Sequence, residues 1–127
     1  LELIIDLESE AIEYGVKVCV SPDGEEQTVI SYDYIEATLK VDTHHSGPED
    51  SPKAIECAPF QLGENEALQL RVFIDKSVVE VFANERQAIM RRIYPARRDS
   101  LGVQLFSNGG TTTANLKSWH ISPSNPY

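Results

Sequence analysis

The chain is short and acidic, and these two properties limit its size and its partners. It has 127 residues, 20 acidic against 11 basic side chains and a formal net charge of −9, so most of its surface repels the phosphates of nucleic acid. A chain of this length buries roughly two-thirds of its unfolded surface, enough for one core, and no apolar run approaches the ~18 residues of a membrane-spanning helix. We therefore expect one domain over residues 1–127, with neither nucleic acid nor a membrane as a partner.

The first half of the chain predicts four β-strands. Apolar residues alternate with mostly polar ones along residues 1–8, and valines alternate along residues 14–20. Residues 27–34 and 37–43 form a further alternating pair, and Pro-Asp-Gly at 22–24 is typical of a turn. Because the first alternation starts without an initiator Met or a lead-in, we expect an upstream part of the protein to be missing from this sequence.

The second half predicts a meander and three further strands. After a loop, HHSGPEDSP at 44–52, and a short strand-like segment at 58–60, the stretch LRVFIDKSVVEVFANERQAIMRRIYP occupies 70–95. Apolar residues alternate on both sides of its turn DKS, and a third run follows its turn ANER, which is the pattern of an antiparallel meander. Further strands are expected near 101–105 and 111–122.

About ten short strands without an amphipathic helix predict an all-β fold. We expect an antiparallel two-sheet β-sandwich of the lectin-like jelly-roll type. Eight side chains should be buried between the two sheets: Val72, Ile74, Val79, Val81, Leu101, Val103, Leu105 and Trp119.

The meander also resembles a known family. Its sequence is similar to that of the C-terminal β-sandwich module of glycoside hydrolase family 32, the β-fructosidases that include invertases, levanases and inulinases. That module carries a run of the form D-x-S-x-V-E-V-F-x-N and then R-I-Y-P, which is matched here by Asp75, Ser77, Val79, Glu80, Val81, Phe82, Asn84, Arg92, Ile93, Tyr94 and Pro95. CVSPDG at 19–24 resembles an early C-S-P-D-G hairpin with one inserted residue, and LKSWHISP resembles the closing strand.

The resemblance implies a module without catalytic residues. Catalysis in that family belongs to a preceding five-bladed propeller with N-D-P-N, R-D-P and E-C motifs, and the first two are absent from this sequence. Glu56-Cys57 spells the third at a position that matches the sandwich, and a retaining glycosidase needs two carboxyl groups about 5 Å apart. No catalytic, cofactor-binding or metal-binding residue is therefore expected.

The resemblance also implies a partner, the catalytic β-propeller of the parent chain, whose enzyme would cleave terminal fructosyl bonds of sucrose or fructans. The sandwich would stabilise that propeller or dock on it. Two alternatives are a carbohydrate-binding module and a subunit-contact module in a homodimer.

Several polar residues have both a structural and a functional interpretation. His44 and His45 can begin a metal site with Glu49 and Asp50, but no further ligand stands at a recognisable spacing, so a solvated loop is expected. His120 follows a tryptophan in the last strand and is expected to pack or to form a hydrogen bond.

The carboxylates around the DKS turn are interpreted as structural. Asp75 and Glu80 flank the turn, where we expect them to hold it or to pair with Arg71 or Arg92.

The two cysteines make neither a metal motif nor a disulfide framework. Cys19 stands among strand residues and is expected to be a buried thiol, although a bridge to Cys57 is possible. Cytoplasmic and extracellular locations are both compatible with this usage.

Charge and aromatic residues suggest where a partner would bind. Residues 1–66 hold 16 acidic and 3 basic side chains, whereas residues 67–127 hold 4 and 8. The basic cluster should be solvated or paired within the chain, or else should dock an acidic partner surface beside an apolar face: Arg86, Arg91, Arg92, Arg97 and Arg98. Most aromatic residues are expected in the core or in a domain contact rather than in a sugar-stacking platform: Tyr32, Tyr34, Phe60, Phe73, Phe82, Tyr94 and Trp119.

Overall fold

The structure is a computed structural model that describes residues 1–47, 53–75, 77–93 and 101–119. These residues form ten β-strands, and no helix occurs among them. The strands are β1 (Glu2–Ser9), β2 (Glu13–Val20), β3 (Thr28–Asp33), β4 (Thr38–Asp42), β5 (Ile55–Pro59), β6 (Leu68–Asp75), β7 (Val78–Ala83), β8 (Gln87–Arg92), β9 (Gly102–Asn108) and β10 (Thr112–Trp119). The described part of the chain accordingly contains no helix long and apolar enough to cross a membrane.

The strands form two antiparallel five-stranded sheets. Sheet A has the order β10-β1-β6-β7-β8, and sheet B has the order β5-β4-β3-β2-β9. The predicted meander is the β6-β7-β8 part of sheet A, where Val72 lies opposite Val81 and Val81 lies opposite Ile89. The predicted all-β two-sheet sandwich is confirmed.

The core lies between the sheets and follows directly from the alternation of the sequence. In a strand, every second side chain points to the same face, and the inward-facing ones here are large and apolar. Each of the following is at most 1% exposed: Leu3, Ile5, Leu7, Val16, Ile30, Tyr32, Leu39, Val41, Leu68, Leu70, Val72, Val79 and Val81. The predicted strand phase is therefore right for β1, β4, β6 and β7.

Aromatic rings extend the core towards one end of the sandwich. Tyr14 of β2 and Tyr32 of β3 pack edge to face with ring centroids 5.9 Å apart, and Tyr32 packs the same way on Phe60 at 5.8 Å. Tyr32 and Phe60 are buried, which confirms the core assignment for these two aromatic residues.

The predicted core is wrong at two leucines. Leu101 is 80% exposed because it precedes β9, and Leu105 is 42% exposed. Leu105 lies opposite Val16 and so on the inner side, but β9 is an edge strand whose one neighbour in the described part of sheet B is β2. Ile74 and Val103 are partly buried against the core, and the side chain of Trp119 lies outside the described residues.

The cysteines are both free, so the possible disulfide does not form. Cys19 is in β2 and Cys57 in β5, and sheet B places two strands between them. Three strand spacings amount to roughly 14 Å, about twice the Cα separation that a disulfide allows. Cys19 is half-buried rather than buried, and burial followed by the charge of Glu26 raises the pKa of its thiol to about 11.

The burial pattern predicts a contrast between two identical substitutions. Leu70→Ala empties a fully buried position and should lower the free energy of unfolding by about 2–5 kcal/mol. Leu101→Ala changes a largely exposed side chain and should stay within about 0.5 kcal/mol of the parent. Urea unfolding of both variants measures the difference, and equal losses would contradict the assignment of the core.

Candidate functional site

Glu56 forms an ion pair between the two sheets. Its Oε1 accepts a hydrogen bond of 2.5 Å from Arg91 NH1. Because β5 and β8 are edge strands of different sheets, this ion pair ties sheet A to sheet B along one side of the sandwich. The carboxylate of Glu56, which belongs to the E-C dipeptide, is therefore paired with the guanidinium of Arg91.

His44 and His45 are not part of a metal-binding cluster among the described residues. The Nδ1 atom of His44 is 2.7 Å from Asp42 Oδ1, and His45 is exposed. Glu49, Asp50 and His120 fall outside the described residues. Within the described ranges, no three His, Cys, Asp or Glu side chains are placed to hold a metal ion.

Arg71 pairs with a different carboxylate from those expected. Its Nε and NH2 atoms lie 2.9 Å and 2.8 Å from Glu2 Oε1. Glu80 lies opposite Phe73, and Asp75 is exposed at the end of the hairpin. Of the alternatives for Asp75 and Glu80, the pairing with Arg71 is not formed, because Glu2 of β1 supplies its acidic neighbour, and the alternative that they hold the turn stays a prediction.

One concave surface lies on the outer face of sheet A. We call this hollow of about 780 Å³ the outer-face groove. It is lined mainly by outward side chains of β1 and the meander, with Gln87 at its rim: Ile4, Arg71, Phe73, Phe82 and Ala88.

The register explains why these residues meet. Ile4 lies opposite Arg71, Arg71 opposite Phe82, and Phe82 opposite Ala88, so that one row crosses four strands. The Phe73 ring packs edge to face on Phe82 at 6.0 Å, and the Arg71 guanidinium is 5.1 Å from the Phe73 centroid. The groove thus offers half-buried aromatic rings beside a cation, which suits an apolar group flanked by a carboxylate.

A turn with two left-handed residues forms one rim of the outer-face groove. Asn84 and Glu85 have φ angles of 50° and 57°. Asn84 Oδ1 accepts a hydrogen bond of 2.7 Å from the Gln69 backbone N–H, and its Nδ2 donates to the Ala67 carbonyl at 2.9 Å. Asparagine tolerates this backbone region, and its side chain links β7 to the start of β6.

Arg86 fixes the same turn to the loop before β6. Its NH1 and NH2 atoms donate to Glu66 at 2.6 Å and 2.8 Å, and its guanidinium lies 5.1 Å from the Phe60 centroid. The Arg86 hydrogen bonds, followed by one from the Gly63 backbone, lower the pKa of Glu66 to about 2.

The basic cluster is therefore partly used within the chain. Arg86 and Arg91 are paired with carboxylates, as the structural interpretation predicted, and Arg92 is exposed. Arg97 and Arg98 lie outside the described residues.

A second hollow lies at the end of the sandwich where β1, β3 and β9 finish. We call this space of about 530 Å³ the end groove. It is lined by Ser9, Glu10, Tyr14, Tyr34, Leu62, Gly63, Glu64, Asn65 and Glu66. Tyr34 is 64% exposed and its backbone N–H donates to the Ile12 carbonyl at 2.9 Å, so this aromatic residue lies outside the core, and the alternative of a domain contact stays a prediction.

Exposed apolar side chains are distributed rather than gathered on one face. Ile12 and Ile35 accompany Tyr34 at the end of the sandwich, whereas Met90 and Ile55 lie on strands of different sheets. The described residues therefore do not form the large exposed apolar patch that was expected beside the 86–98 segment, and residues 94–98 of that segment lie outside the described ranges. The sequence contains one signal for the end groove. The turn YIEA at 34–37 carries two large apolar residues at positions where small polar ones are usual.

Comparison with known proteins gives a consistent result. The family model described as "Glycosyl hydrolases family 32 C terminal" matches residues 1–122. The levanase of Bacillus subtilis is 35% identical over 125 residues, which cover 89% of this chain and 18% of the levanase. A sucrose-6-phosphate hydrolase of Zymomonas mobilis is 30% identical over 132 residues, covering 98% of this chain and 25% of the enzyme.

Solved structures agree with the sequence relatives. The crystal structure of an exo-inulinase from Aspergillus awamori superposes with a TM-score of 0.78 at 25% identity, covering 91% of this chain and 24% of the inulinase chain. This chain thus spans about a quarter or less of the length of these three proteins.

The Glu66–Arg86 pair predicts an acid-sensitive contribution to stability. Because the folded-state pKa of Glu66 is about 2 against an ordinary 4.5, the pair stabilises the fold above pH 4.5 and loses this effect as the pH falls towards 2. Glu66→Gln should therefore melt below the parent at pH 7, and the gap should narrow on acidification. Glu64→Gln, an exposed neighbour, is the control, and a gap that stays constant down to pH 3 would refute the prediction.

Proposed function

The chain belongs to the family of C-terminal domains of glycosyl hydrolases family 32, and we propose that it is the non-catalytic β-sandwich module of a β-fructosidase. The parent enzyme cleaves terminal fructosyl bonds of sucrose or of a fructan, as the names of its relatives suggest. The observation that carries this proposal is the family match over residues 1–122, in a chain that spans only 18% of a levanase. The remaining length of such an enzyme would hold the catalytic propeller.

We further propose that the module docks on that propeller through the outer-face groove. The residues that match the family motif are divided between two faces of the meander. Val79 and Val81 point inwards and fill the core, whereas Phe82 and Asn84 line the groove and contribute nothing to the space between the sheets. Asn84 holds its turn through Gln69 and Ala67, whereas among the described aromatic rings the outward ring of Phe82 packs only on Phe73, and a covering domain would supply a further contact.

The chemistry of the outer-face groove suits a protein surface. Phe73 and Phe82 present apolar ring area in a hollow rather than on a flat sheet, and aromatic residues of this kind anchor interfaces. Arg71 is held in place by Glu2 but is still half exposed, so it can also meet a carboxylate of the partner. A propeller surface with an apolar knob beside an acidic side chain would fit this arrangement.

The docking proposal predicts a contrast between two phenylalanines. Phe82 points outwards from sheet A and Phe106 from sheet B, where Lys17 lies 5.6 Å from its ring. Phe82→Ser should weaken binding of this chain to the separately produced catalytic domain by about tenfold or more, measured by calorimetry. Phe106→Ser should bind like the parent.

Two outcomes would contradict docking through this groove. The first is equal affinity of the Phe82→Ser variant and the parent. The second is self-association of the chain, seen by light scattering and abolished by Phe82→Ser, which would make the groove a homodimer contact instead.

The absence of both aspartate motifs predicts that the chain alone has no hydrolase activity. Incubation with sucrose, inulin or levan should release no fructose above a blank. Fructose release that disappears in Glu56→Gln would show that the carboxylate held by Arg91 is catalytic, and would overturn the non-catalytic assignment.

A further inference from the structure

We propose that the end groove is a binding site for a neutral saccharide, distinct from the outer-face groove and independent of any catalytic domain. Tyr34 forms the stacking surface, and Tyr14, Glu10, Glu64 and Asn65 supply hydrogen bonds to sugar hydroxyls. This site goes beyond the docking role, because it lies at the end of the sandwich and has its own ligand chemistry.

The first observation is a tyrosine hydroxyl that is open to solvent and has no protein partner among the described residues. Tyr14 is only 2% exposed and yet lines the end groove. The neighbouring Tyr32 hydroxyl accepts a hydrogen bond of 3.3 Å from the Leu62 backbone N–H, whereas the Tyr14 hydroxyl bonds to none of the residues that the structure describes. A tyrosine hydroxyl both donates and accepts hydrogen bonds, so at the surface of the groove it is free to bond to a ligand hydroxyl in place of water.

The second observation is an exposed ring on a fixed backbone. Tyr34 is 64% exposed at the mouth of the end groove. Its backbone N–H is bonded to the Ile12 carbonyl. Ile12 is itself packed closely on Gly109, because a Cβ added to that glycine would come within 2.9 Å of Ile12 Cδ1. A tyrosine offers a large rigid face and loses little conformational entropy on binding, so it suits the apolar face of a sugar ring.

The third observation is the charge around the ring. Glu10 and Glu64 are exposed carboxylates, which accept hydrogen bonds from hydroxyl groups, and Asn65 both donates and accepts. No Lys or Arg occurs among the lining residues that the structure describes, and Glu66 is already engaged by Arg86. A hydroxyl-rich neutral ligand fits these groups, whereas a phosphorylated sugar would be repelled.

The shape of the surface favours an oligosaccharide over a single sugar. A further hollow of about 510 Å³ shares Ser9, Glu10, Asn65 and Glu66 with the end groove and continues towards Thr111 and Thr113. Each hollow is in the size range of small-ligand sites, roughly 300–1,000 Å³. Together they form a track along the end of the sandwich rather than a closed pocket.

The test is a titration of the whole chain with neutral trisaccharides, followed by NMR. Inulin-type and levan-type fructose oligomers are the first probes, a choice that rests on the proposed function, and maltotriose is included as a neutral sugar without fructose. Sucrose 6-phosphate and calcium chloride are separate arms. At least one neutral sugar should bind, with an affinity roughly tenfold or more above that of the phosphorylated sugar.

Three variants connect binding to the groove. Tyr34→Ala should weaken binding about tenfold or more, whereas Ile35→Ala, which removes an equally exposed side chain outside the groove, should leave it unchanged. Tyr14→Phe should weaken binding roughly two- to tenfold without lowering the melting temperature, because the hydroxyl that it removes has no described protein partner.

The outcomes separate this proposal from the others. No binding of any neutral sugar, or binding that Tyr34→Ala leaves intact, would overturn it. Calcium binding without sugar binding would show a cation site instead and would also overturn it. Binding of maltotriose but not of fructose oligomers would support the saccharide site while counting against the fructan assignment of the parent enzyme.

Discussion

The two-residue period of the β6-β7-β8 meander is the constraint on which the rest of the molecule depends. Leu70 and Val72 point into the core, and Arg71 and Phe73 between and after them point outwards. A slip of one residue in register would exchange these two sets, which would bury a guanidinium and expose the apolar side chains that the meander contributes to the core. The core and the outer-face groove are therefore specified together by one stretch of sequence.

Ion pairs fix the sheet edges and the turn after β7, whose positions are not determined by the alternation of apolar residues. Glu56–Arg91 connects the two sheets at one side, and Arg86 connects the last turn of the meander to the loop that carries Glu66. Ion pairs at such partly exposed positions contribute little free energy. Their effect is positional: Glu56–Arg91 joins the sheets, and Arg86–Glu66 joins a lining residue of the outer-face groove to one of the end groove.

Local pattern was sufficient to predict the strands, the sandwich and most of the core, because alternation and turn residues are read within a few positions. The exposure of Leu105 was not predictable, since alternation gives the face of a strand but not its place at the edge of a sheet. The Arg71–Glu2 pair depends on β6 lying beside β1, a pairing of distant segments that no local pattern encodes. The end groove was missed for the same reason, because it is assembled from turns that are far apart in the sequence.

The outer-face groove and the end groove have different proposed partners, and hydroxyl-radical footprinting of the intact parent enzyme distinguishes the two surfaces. Oxidation of Phe73 and Phe82 should fall strongly in the parent relative to the isolated chain, because a catalytic domain covers the outer-face groove. Tyr34 should be oxidised equally in both, because the end groove stays open to a sugar. Equal oxidation of Phe73 and Phe82 in the two samples, together with protection of Tyr34, would contradict the account and place the domain contact at the end of the sandwich.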